Sequence, residues 1–346
     1  MITVPASYTV TQIATVSDAR ELALSPGGDL YVGTGGQNVY VIRRAQSTHP
    51  ETAAVYVSFD DAPAAGVAYG NGALYVGTQN AIWRVRGGHP EKIASVRTGS
   101  PPAGSDGDVH RSTSVVLDGS VLYASVGSSC NSCVETDPTR ATVGKVENGR
   151  YVPIATRIRN AIALAVDPST HHLWVSNAGQ DELPAGHPYE FFDDVTAHTA
   201  PVDYGWPFCF ENRKRKPGTN ENCSRAAIPQ VVFPAYETPI GAVFAHGGAF
   251  VTLHGSWHGP RQGLSGYVPP RVVFVPMRNG KPLHAVDWSD PAKQWTTFIG
   301  GYQSGETIDR SGRPTGITAD SRGDLFLADD QTGAIYRLRP KASGHR

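Results

Sequence analysis

Three kinds of side chain in this sequence could share a reaction centre: an imidazole, a set of guanidinium and amide groups, and a turn rich in hard oxygen ligands. His110, within Val109-His110-Arg111, carries a ring that titrates near neutrality, so it can take a proton from a substrate hydroxyl as a general base. Arg159 with Asn160, and Arg313 far along the chain, offer donor forks that suit a planar ligand bearing several carboxylates. Gly179, Gln180, Asp181 and Glu182 form a turn supplying carboxylates and exposed carbonyls, a donor set for Ca²⁺ rather than for a soft metal. The run from His254 through Ser256 and Trp257 to His258 adds two imidazoles, a hydroxyl and an indole that could stack on a sugar or a flat cofactor. Plainer readings stand beside these: a surface imidazole, arginines in salt bridges between repeats, Trp257 in packing, and Asp193-Asp194 and Asp329-Asp330 as solvated turns or strand ends. The basic run Asn212 to Pro217 reads as a solvated loop.

The elements that must position these groups come from a repeat. One pattern, a short apolar strand, a Gly or Asp turn and a second apolar strand, recurs six times. Leu30, Leu74, Leu122, Leu173, Ala249 and Leu325 occupy equivalent places, with spacings of 44, 48, 51, 76 and 76 residues. A propeller blade takes about 40 to 50 residues, so the spacing predicts an all-β, six-bladed β-propeller with four-stranded antiparallel blades around a central channel. The expected organisation is one domain over 1–346, with insertions at about 180–236 and 255–310. A β-sandwich would not repeat at this period, and a helical solenoid would show a period near 3.6 residues. In a propeller, the approach to each inner strand and the loop after the second strand emerge on one face. His110, Arg159, Asn160 and Arg313 fall in the approaches, and Gly179–Glu182 and His254–Trp257 in the loops. The opposite turns, such as Ser25–Gly28 and Asp118-Gly119, carry ordinary hairpin chemistry.

Composition bounds the partners. Thirty Lys and Arg against 31 Asp and Glu leave a net charge of −1, with no basic excess for a nucleic-acid backbone. No apolar stretch approaches the length of a membrane span, and Met1–Pro5 lacks the regions of a secretory signal, so any leader is expected to lie outside this sequence. The 38 Gly and 26 Pro in 346 residues agree with many turns and thin layers. Cys130 and Cys133 form a C-x-x-C, and Cys209 and Cys223 enclose a polar loop. Two local disulfides are the economical reading, with reduced thiols and a four-thiolate zinc site as rivals; the second pair is spaced too widely for usual zinc ligation. Disulfides point to a periplasm or the cell exterior.

His110, the stretch Leu122–Pro138, Arg159-Asn160, Asn177–Leu183, Asp203–Cys209, His254–Trp257, Gly312–Gly316 and Ala328–Asp330 together resemble the glucose/sorbosone dehydrogenase family of pyrroloquinoline-quinone (PQQ) enzymes, in family order, and look like its sorbosone dehydrogenase branch. The resemblance runs over about residues 15–340. It implies a six-bladed propeller that binds PQQ and Ca²⁺ over the channel, oxidises an aldose or related sugar at C1, and passes electrons to an external dye, quinone or cytochrome, as a monomer or homodimer. It implies that His110 takes the anomeric hydroxyl proton while hydride passes to the quinone. Arg159, Asn160, Arg313, His254, Ser256 and Trp257 would face the cofactor, and Gly179 and Gln180 would give carbonyl ligands to Ca²⁺ in a turn shaped by Asp181 and Glu182. The sequence departs from the best-known soluble glucose dehydrogenases, which carry a lysine and a pair of arginines where this chain has His254–His258 and a single Arg313. Two other functions fit a propeller: a Ca²⁺-dependent lactonase and a non-catalytic binding module.

Overall fold

The structure, a computed structural model, describes residues 2–181, 183, 186–256, 268–304 and 309–341. It is a six-bladed β-propeller. Blade one runs from an inner strand Ala19–Leu24 through Leu30–Thr34 and Asn38–Ile42 to an outer strand Ala54–Ser58. The inner strands of the next five blades are Gly66–Gly70, Thr113–Asp118, Leu164–Asp167, Pro239–Ala245 and Pro314–Ala319. Each packs against the next, and the sixth against the first.

The gradient of burial across a blade explains the apolar runs in the repeat. Second strands lie between neighbouring blades and are covered on both faces: Leu30–Thr34 is buried throughout, whereas the outer strand Ala54–Ser58 buries only Val57. All six equivalent residues, from Leu30 to Leu325, fall on second strands, at 4% exposure or less. Among the described residues the large apolar clusters form six layers, one in each interface between blades. Close approach at the axis needs small residues: a Cβ on Gly316 would come within 2.3 Å of the Arg20 carbonyl of the adjacent inner strand.

The ring is closed by pairing distant in sequence. Tyr8–Thr15 forms the outer strand of blade six, antiparallel to Ala334–Pro340, with Tyr8 opposite Pro340. The stretch 180–236 contains two strands of blade four, Glu190–Asp194 and Val231–Phe233, with extra chain between them. Part of that extra chain, Val202–Asp203, adds a parallel strand to the outer edge of blade three. The stretch 255–310 contains Arg271–Arg278 and Thr296–Ile299 of blade five. Both disulfides are formed, Cys130–Cys133 and Cys209–Cys223. Among the described residues no helix is long and apolar enough to cross a membrane.

Candidate functional site

A cavity of about 470 Å³ opens on the face where inner-strand approaches and second-strand loops meet. His110 and Asn131 line it from blade three, Arg159, Asn160, Gly179, Asp181 and Glu190 from blade four, and Thr238 from the approach to blade five. Toward the axis a smaller cavity of about 120 Å³ shares Thr238 with it and is lined by Arg20, Glu21 and His254. Below that, a chamber of about 340 Å³ lies among the six inner strands, and burial pushes Glu21 there up to about 8.

Gly127 brings His110 and Asn160 together. A Cβ on this residue would sit 2.5 Å from the His110 Cβ and 2.6 Å from the Asn160 Oδ1, so any side chain would drive them apart. His110 Nδ1 lies 3.0 Å from the Ser128 carbonyl and 2.9 Å from Ser128 Oγ. A carbonyl can only accept, so Nδ1 carries the hydrogen and Nε2 keeps its lone pair. Burial, then the Arg159 charge, holds the ring pKa well below its ordinary value, and the imidazole is neutral at pH 7. Its backbone is fixed from beneath by the buried Arg97, whose Nη2 donates to the carbonyls of His110 and Ser112, each at 2.8 Å. The result is a positioned, unprotonated nitrogen at the edge of a polar cavity, as a general base requires.

Arg159 is 4% exposed, and most of its fork is already engaged. Nε donates to the Asn131 carbonyl at 3.0 Å, Nη2 to Asn131 Oδ1 at 2.9 Å and Asp181 Oδ2 at 3.0 Å, and Nη1 to the Ala178 carbonyl at 3.3 Å. The expected bidentate fork is therefore reduced to the second Nη1 hydrogen and a local positive charge. The Asn160 carboxamide makes no hydrogen bond to a described residue and lines the cavity as donor and acceptor. Gly179 N donates to Glu190 Oε1 at 2.9 Å, and Thr238 N donates to Oε2 of the same carboxylate. Burial pushes Glu190 up to about 8, and the negative charges of Glu237 and Asp181 add to the shift. The carbonyls of Gly179 and Gln180 accept no hydrogen bond from described residues. Uncommitted carbonyls beside Asp181 and a carboxyl that is costly to ionise match the hard-oxygen set that a Ca²⁺ ion satisfies.

The other expected residues lie elsewhere. Gln180 turns to a neighbouring pocket and its Oε1 accepts from Lys216 Nζ at 3.5 Å. His254 lines the smaller axial cavity, with Nε2 at 3.0 Å from Asp330 Oδ1. Arg313 is not among the described lining of the large cavity; it donates to the carbonyls of His254 and Gly255 at 3.2 and 3.1 Å. Ser256 is buried, its N–H on the Val268 carbonyl. Trp257 and Glu182 lie outside the described residues. Sequence reasoning passed over Asn131, Glu190, Thr238 and Arg97. Asn131 sits inside the C-x-x-C on the correct face, so a signal existed; Glu190 and Arg97 carry none beyond a charged residue beside apolar strands.

These features define a propeller with a polar, carboxylate-lined cavity off its axis. A family model described as TrAA12-like matches residues 192–341. A Trichoderma reesei protein of Carbohydrate-Active Enzymes Family AA12, solved with iodide, superposes at TM-score 0.81 with 17% identity over 98% of both chains, and its calcium structure at 0.80. The holo PQQ domain of pyranose dehydrogenase from Coprinopsis cinerea gives 0.81 at 14% identity over 98% of this chain and 97% of that one. PQQ-bound aldose sugar dehydrogenase from Streptomyces coelicolor gives 0.67 at 18% identity over 97% and 99%.

Proposed function

We propose that the chain is a PQQ-dependent oxidoreductase acting on the C1 hydroxyl of an aldose or related sugar. The observation that carries the reading is the cavity in which a neutral His110, an uncommitted Asn160 amide, Gly179 and Asp181 face common space. The carbonyls of Gly179 and Gln180, with Asp181, would hold Ca²⁺. Arg159 and Asn160 would hold the carboxylates and ring oxygens of the cofactor. When bound, the quinone supplies the hydride acceptor, with Ca²⁺ polarising its oxygens. His110 Nε2 takes the proton of the sugar hydroxyl as the C1 hydrogen leaves, and the Nδ1–H bond to Ser128 keeps Nε2 aimed and unprotonated. An external dye, quinone or cytochrome then accepts the electrons. Similarity to sugar dehydrogenases that contain PQQ supports the reading, and two disulfides support a periplasmic or extracellular location.

Titration of the apo protein with PQQ, with and without Ca²⁺, followed by dye reduction across a panel of aldoses, tests it. Saturable, Ca²⁺-dependent binding with sugar-dependent dye reduction is the expected result. No binding at micromolar quinone would overturn it.

A further inference from the structure

The Ser128–Glu135 loop, closed by the Cys130–Cys133 disulfide, touches both halves of the candidate site. Its first residue holds His110, and Ser128 N donates to the Arg159 carbonyl at 2.8 Å while Ser128 Oγ donates to the Cys130 carbonyl at 2.7 Å. Glu135 closes the loop from the other end, its Oε1 accepting from Ser129 N at 2.6 Å. Between the two cysteines stands Asn131, which bonds to both Arg159 and Asp181. Its carbonyl and Oδ1 both accept from the Arg159 guanidinium, at 3.0 and 2.9 Å. Oδ1 also accepts from Asp181 N at 2.9 Å, and Nδ2 donates to the Asp181 carbonyl at 3.2 Å. The carboxamide thus pairs with the Asp181 peptide as one strand residue pairs with another, while its carbonyl side holds the arginine.

This needs a planar group with an acceptor and a donor on adjacent corners, which only Asn or Gln provides, and Gln is one methylene too long for so short a loop. An aspartate would keep the acceptors for Arg159 but set a second acceptor against the Asp181 carbonyl. The disulfide makes the loop tight enough for the main-chain and side-chain oxygens of Asn131 to reach one guanidinium.

We infer that Asn131 is a positioning residue that sets the Arg159 guanidinium and the Gly179–Asp181 turn in register, and that the Cys130–Cys133 bridge holds it there. Its effect on the cofactor rests on the function proposed above; its effect on the turn does not. Partners that orient a metal-binding group typically change metal affinity by about 10- to 100-fold when removed.

Two measurements on Asn131→Ala and Asn131→Asp separate these. In the apo protein, amide hydrogen exchange at Asp181 should speed up in Asn131→Ala, because the acceptor of that N–H is lost; unchanged exchange overturns the inference. Calorimetric titration with CaCl₂ and spectroscopic titration with PQQ should then show affinities about 10- to 100-fold weaker in Asn131→Ala. Asn131→Asp should fall between it and the native chain, and Cys130→Ser/Cys133→Ser should copy the alanine variant. Native affinities in all variants overturn the inference. A native chain that binds neither probe overturns the proposed function, and the exchange result still decides the positioning role. If Asn131→Ala does not fold, the near-isosteric Asn131→Leu, which also lacks an acceptor for the Asp181 N–H, decides both readouts.

Discussion

Two imidazoles on the same face, the half-buried His110 from blade three and the buried His254 from blade five, share a depressed pKa and differ in what holds them. His110 gives its Nδ1 hydrogen to the neutral Ser128 carbonyl and lines the larger cavity. His254 gives its Nε2 hydrogen to the Asp330 carboxylate, which Arg20 also contacts at 3.0 Å, and its own carbonyl is held by Arg313. Burial first, then Arg313 and Arg20, brings His254 down to about 4 despite the carboxylate. One ring is held by a neutral group and faces a cavity able to hold a ligand. The other is a strut between charged groups beside the axis. Being a histidine on the cavity face does not separate the two; the chemistry of the partner does.

The largest effect should come from the blade-three ring. His110→Ala is expected to lower turnover by about 10²- to 10⁴-fold with quinone still bound, measured by dye reduction beside a binding titration. Unchanged turnover would erase the distinction between the rings. Next comes the second disulfide: Cys209→Ser with Cys223→Ser opens a loop with a sequence separation of 14. It should cost about 3 kcal/mol of unfolding free energy in a denaturant titration without reductant.

His254→Leu should act on stability through the loss of the hydrogen bond to the Asp330 carboxylate, at about 2 kcal/mol. The pH dependence sharpens this. The folded-state pKa of His254 lies below the unfolded value, so its contribution is full above pH 6.5 and is lost as pH falls toward about 4. The stability difference between the native chain and His254→Leu should therefore shrink as pH falls across that window, whatever the opposing contribution of Glu21 and Glu190; a pH-independent difference would refute the strut. The smallest effect is expected at Lys216, whose Nζ donates to Ser132 Oγ at 3.0 Å on an exposed rim. Lys216→Ala should stay within about 0.5 kcal/mol of native by thermal melting.

The architecture was legible because a repeat leaves the same apolar run at each second strand. Leu30 and Leu325 are almost 300 residues apart, yet both are sealed between blades. Topology alone also put His110, Arg159, Asn160 and the Gly179 turn on one face. Closure of the ring by Tyr8–Thr15 was not legible, since nothing in that alternating strand says that its partner is Ala334–Pro340. The engagement of Arg159 was equally hidden: a guanidinium looks available in sequence until Asn131 and Asp181 are seen to occupy it.

What the sequence determined by itself was periodic and local: blade count, the face that carries the cavity, the short-range pairing of Cys130 with Cys133, and the residue types gathered there. Those follow from side-chain alternation and chain spacing, which act over a few residues at a time. The tertiary structure decided which gathered groups share space, which nitrogen of each histidine holds its hydrogen, and which charges are already spent on one another. Those depend on distances between loops of different blades, such as Asn131 and Asp181 at 2.9 Å, and no single segment encodes them.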